Sequence, residues 1–70
     1  MIRLKVSPLN AEVKKDKLQE IFEEYGKVDS VKILRGVGEN AQVVAFVFMP
    51  REVAAEDAMD ELQGTEILGS

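Results

Sequence analysis

Apolar and polar residues alternate strictly over 2–6: Ile2, Leu4 and Val6 are apolar, Arg3 and Lys5 charged. A period of two predicts a strand with one buried and one open face. Ser7-Pro8 marks its expected end, because proline cannot donate to a ladder and restricts the residue before it. The period then lengthens. Leu18, Ile21, Phe22 and Tyr25 recur at helical steps and predict a helix over 15–25. Val13 is placed to staple against Leu18, and Gly26 to follow the helix end. The cap position holds Lys14, which cannot accept from backbone N–H groups. Glu23 and Glu24 sit at the far end, against the macrodipole. Burial of the stripe is therefore expected to hold this helix.

A second strand is predicted over 28–34, with Val31 and Ile33 toward the core and Ser30, Lys32 and Leu34 away from it. RGVGEN, 35–40, predicts a glycine-rich turn. The longest apolar run follows, AQVVAFVFM over 41–49. Its continuous part, Val43–Met49, is too short to cross a membrane and suits a central strand covered on both faces. Val43, Ala45, Val47 and Met49 point one way; Val44, Phe46 and Phe48 point the other. Pro50 closes the run. Ala55, Ala58, Met59 and Leu62 then outline a second helix over 52–62, with Glu56, Asp57, Asp60 and Glu61 on its solvent side. After Gly64, 65–68 reads as the start of a turn or hairpin, with no room for a full further strand. The order β-α-β-β-α predicts one α+β domain over 1–70, with both helices on one face of a single sheet.

Composition changes this picture in what it excludes. The chain has no Cys and no His. That removes disulfides, thiol chemistry, most zinc and iron sites and the commonest general base. The carboxylates fall on helix solvent faces, and the neighbours Glu23-Glu24 and Glu56-Asp57 diverge on a helix. Gly36-Val37-Gly38 is too short, and lacks the following helix, to cradle a phosphate. A non-catalytic binding module with no cofactor and no metal is expected. The start of the chain runs straight into IRLKV without a signal-peptide pattern, so an intracellular location, cytoplasm or nucleus, is expected, with no membrane partner.

Net charge is −4, with 13 acids against 9 bases. The sum argues mildly against nucleic acid, so the placement of charge decides. The sheet face expected to point away from the helices carries Arg3, Lys5, Ser7, Ser30, Lys32, Leu34, Gln42, Val44, Phe46 and Phe48. It holds cations and two rings but no carboxylate. Such a face suits single-stranded nucleic acid, by stacking and phosphate neutralisation. Its apolar centre, Val44, Phe46 and Phe48, equally suits a protein partner or a homodimer.

The residues resemble the RNA recognition motif (RRM) family, whose fold is ferredoxin-like and whose strand order implies that, with no fourth strand, the first strand is a sheet edge open to pairing with another chain. The family's hexamer motif falls on Leu4-Lys5-Val6-Ser7-Pro8-Leu9, and its octamer on Gln42-Val43-Val44-Ala45-Phe46-Val47-Phe48-Met49. Val13, Leu18, Phe22, Tyr25-Gly26 and Val28 match the first-helix positions; Ala55, Ala58, Met59, Leu62 and Gly64 match the second-helix spacing. The resemblance implies RNA binding on the sheet face, where the family stacks bases on three exposed aromatics. Here Lys5 and Val44 replace two of those rings and Phe46 remains. Gln42 stands where the family's basic residue meets phosphate. The RNA-binding residues expected on this basis are Arg3, Lys5, Lys32, Gln42, Val44, Phe46 and Phe48, contacting single-stranded RNA or, in the same manner, single-stranded DNA. The variant of the family that grips peptides between its helices carries an Arg-any-Phe element after the second helix. Gly64-Thr65-Glu66-Ile67 does not supply one.

Overall fold

In a computed structural model, the structure describes residues 1–9, 12–36 and 42–69. The elements are β1 (Ile2–Leu9), α1 (Lys15–Glu23), β2 (Ser30–Arg35), β3 (Val43–Met49), α2 (Glu52–Glu61) and β4 (Thr65–Gly69). They form one antiparallel sheet in the order β2-β3-β1-β4. The α+β order is as the periodicity predicts and the ferredoxin-like sheet as the resemblance implies, and it is completed by a fourth strand.

That strand corrects the expectation for 65–68. A five-residue strand is of ordinary length, and β1 offers it an unpaired edge. Val6 pairs with Thr65, Lys5 with Glu66 and Leu4 with Ile67, before an irregularity brings Arg3 opposite Gly69. Ile67 turns inward and packs against the core. The ladder also accommodates a cost: the Thr65 hydroxyl oxygen is buried without a partner among the described residues. Consequently β1 lies between β3 and β4, and the expected open edge on the first strand does not exist. The edges are β2 and β4.

A second correction concerns Pro8. β1 continues through it to Leu9, with a register shift between Val6 and Leu9. A bulge is a place where a strand tolerates proline, since no ladder donor is required there. The expected turn over 35–40 lies mostly outside the described residues; Arg35 itself ends β2. Gly36 N–H donates to the Gln42 carbonyl at 3.0 Å, so the two strands are still paired as they leave the sheet.

The core forms as the alternation requires. Val43, Ala45, Val47 and Met49 are buried, whereas Val44, Phe46 and Phe48 are half-buried. Leu4 and Val31 join from the neighbouring strands, Leu18 and Phe22 from α1, and Ala54, Ala55 and Ala58 from α2. Neither helix has a side-chain cap: Lys14 and Arg51 stand at the cap positions. Packing holds both. α1 is two residues shorter than expected, and Tyr25 packs on the core from beyond its end.

Gly26 explains how the helices come together. A Cβ on Gly26, whose φ is +157°, would lie 2.5 Å from Ala54 Cβ. Gly26→Ala should therefore destabilise the domain by about 1–3 kcal/mol through overpacking. Chemical denaturation should show that cost, and Ala54→Gly in the same chain should recover part of it. Equal loss in single and double variants would mean that the backbone angle, not the contact, sets the requirement.

No helix among the described residues is long and apolar enough to cross a membrane.

Candidate nucleic-acid interface

Sheet pairing decides which outward side chains stand side by side. Residues directly opposite on adjacent antiparallel strands share a face, with Cβ atoms about 4.5–5.5 Å apart. Lys32 on β2 opposes Phe46 on β3, Phe46 opposes Lys5 on β1, and Lys5 opposes Glu66 on β4. One row therefore crosses the sheet as Lys32, Phe46, Lys5, Glu66. A second runs Ser30, Phe48, Arg3, reaching β4 at Gly69. A third pairs Leu34 with Val44.

These rows gather the expected site residues on the helix-free face. Phe46 is half-buried between Lys32, which is exposed, and Lys5, which is half-buried. Arg3 is exposed beside Phe48. Val44 is half-buried two residues along the strand from Phe46. Gln42 is exposed and lies just before β3, opposite Gly36. Phe46 thus has a cation across each flanking strand. A base stacked on its ring would have its backbone within reach of a positive charge on either side.

Two residues of this face escape the sequence reading because β4 does. Glu66 is exposed opposite Lys5, so the face does carry a carboxylate. Leu68 is 40% exposed and shares a shallow depression with Met1, Arg3, Phe48 and Gly69. The signal that would have placed them is the alternation Thr65, Glu66, Ile67, Leu68, with Ile67 the inward member. On the opposite edge, Leu34 is 54% exposed. The face is thus an apolar strip, Leu34 to Leu68, crossed by basic residues on two strands, β1 and β2, and acidic only at β4.

Known proteins with similar sequences agree with this architecture. The RNA recognition motif matches residues 4–70. "RNA-binding protein Rsf1" of Drosophila melanogaster is 43% identical over 68 residues, which is 97% of this chain and 32% of that protein. "Multiple RNA-binding domain-containing protein 1" of Kluyveromyces lactis and its counterpart in Candida glabrata are each 40% identical over 52 residues, 71% of this chain and 6% of theirs. The chain spans a third or less of the length of these relatives. The match reaches from β1 to the end of β4, and the hexamer and octamer positions fall on the paired central strands β1 and β3. This chain belongs to the RNA recognition motif family.

Proposed function

We propose that the chain binds single-stranded RNA on its helix-free sheet face, as a non-catalytic module. The observation that carries this reading is the row Lys32, Phe46, Lys5: one ring flanked on both neighbouring strands by a cation. Phe46 is the stacking platform. Phe48 and Val44 supply apolar contact to a neighbouring base or sugar. Arg3, Lys5 and Lys32 meet phosphates, and Gln42 offers an amide just before β3. The names of the relatives, all RNA-binding, support the choice of ligand. None of these contacts reads base identity, and single-stranded DNA is expected to bind in the same way. One stacked base supplies about 1–3 kcal/mol, so affinity is expected to be modest.

The test is a titration of fluorescent random single-stranded RNA at about 50 and 200 mM salt, with light scattering on the same samples. Three phosphate contacts give a slope of about −2 in log affinity against log salt. Binding should therefore weaken about 15- to 20-fold across that range while the protein stays monomeric. Lys5→Glu should weaken binding further and flatten the slope. Absence of binding at high micromolar RNA would sink the reading.

A second reading has its own observation. Leu34 and Leu68 are 54% and 40% exposed on the same face as the half-buried Val44, Phe46 and Phe48. A strip of this kind also suits self-association. In that case the light scattering should report a dimer that persists at high salt, and RNA should not compete with it.

A further inference from the structure

We infer that bound RNA continues over the β2 edge into a groove between β2 and the start of α1, where Lys14, Lys15 and Lys32 meet its phosphates. This extends, and rests on, the sheet-face reading above.

The groove is open, with a volume of about 610 Å³, and Lys14, Lys15, Lys32 and Arg35 stand over the flank of Ile33 and Leu34. Lys32 belongs to both surfaces: it opposes Phe46 across the ladder and lines the groove. Because β2 is an edge strand, no further strand separates the stacking face from this groove. A backbone that leaves Phe46 past Lys32 arrives next at Lys14 and Lys15.

The way out past Lys5 is acidic. Past Lys5 the row meets Glu66 on β4. Around that edge, Glu52 and Glu56 line the depression formed with Ile2 and Ile67. A polyanion is repelled at β4 and attracted at β2, although the chain as a whole carries −4. Among the described residues, the exposed acids Glu12, Asp16 and Asp29 lie near this edge, and none of them lines the groove. Arg35 is held as part of the wall, its guanidinium donating to the Val13 carbonyl at 3.1 Å. The three lysines are the phosphate contacts.

Lys14 and Lys15 do not serve the helix they begin. Lys14 makes no side-chain cap, and cations at a helix start oppose the macrodipole. Replacing both by Gln should leave the fold intact.

The experiment is an NMR titration of the whole chain with oligouridylates of about three and about ten nucleotides, lengths set by a two- to three-base stacking face and by a longer track. Wild type and the double variant Lys14→Gln/Lys15→Gln are compared. The longer RNA alone should shift the amides of Lys14, Lys15 and 31–35. The variant should lose about tenfold in affinity for it near physiological salt, with a salt slope shallower by about 1.4. Affinity for the trinucleotide should be unchanged. Equal affinities of variant and wild type for the longer RNA would overturn the inference, as would an equal loss for both lengths, which signals a general field effect. If wild type binds neither length, the sheet-face reading itself has failed. If an acidic peptide, and not the longer RNA, shifts the groove amides, the groove is a protein site and the inference falls alone.

Discussion

Phe46→Ala is expected to weaken single-stranded RNA binding about 10- to 100-fold while changing the melting temperature by no more than about 16 °C. Stacking one base on an aromatic ring contributes about 1–3 kcal/mol, and each 1.4 kcal/mol is tenfold in affinity. Phe46 is the ring of this face that has a cation opposite it on both flanking strands. The stability cost is smaller because the ring is half-buried, on the face without helices, and cross-strand pairs contribute about 0.2–1 kcal/mol each. Phe46→Tyr should retain most of the affinity, since the ring remains. Phe48→Ala should lose less, because it lies at the Arg3 end of the strip, beside Ser30 and not beside a second cation. The converse change is Val44→Phe. It puts a ring back at an octamer position where the family carries one, and should tighten binding about 5- to 30-fold through a second stacked base. RNA titration and thermal melting of the same preparations check all four variants. A Phe46→Ala protein that melts normally and binds RNA as well as wild type would remove the stacking platform from the proposal.

Phe22→Ala should unfold the domain or bring it close to unfolding. Phe22 is 1% exposed and is among the largest fully buried side chains, with Leu4, Met49, Val31 and Val47. Truncating a buried Phe costs about 3–5 kcal/mol. A domain of 70 residues has about 4–10 kcal/mol in all. With neither helix capped by a side chain, nothing local sustains α1 once its packing is lost. The melting temperature should fall by at least about 12 °C, read by circular dichroism. A shift of only a few degrees would mean that α1 contributes less to the core than its burial indicates.

The phenylalanines show how much of this was legible in the chain. Phe22 falls on a 3.6-residue stripe, and Phe46 and Phe48 fall on one side of a two-residue alternation. Those periods alone assign the first to the core and the other two to the opposite face of β3. The burial of Val43, Ala45, Val47 and Met49 beneath them follows the same rule. Lys5 and Lys32 could likewise be placed outward on their strands. Their position on either side of Phe46 could not, because it depends on register, which the turns and bulges between strands set. Ala54 went unassigned for a related reason. It lies next to the Ala55 and Ala58 stripe, and becomes core only because Gly26 lets the chain after α1 come within contact of it.

Thr65–Gly69 marks the boundary most sharply. By itself TEILG is a short alternation after a helix, too brief to demand a strand. Given the free side of β1, it pairs over Leu4, Lys5 and Val6, carries Glu66 onto the outer face and moves the open edge from β1 to β4. The basic groove at β2 and the acidic side at β4 exist only after that pairing. The sequence by itself determined the strand and helix periods, the inward and outward sets, most of the core and the family, because side-chain direction along one segment is a local property of the backbone. Tertiary structure decided the fourth strand, the row through Phe46 and the polarity of the face, because a ladder's hydrogen bonds join residues far apart in the chain, and their register has no local determinant.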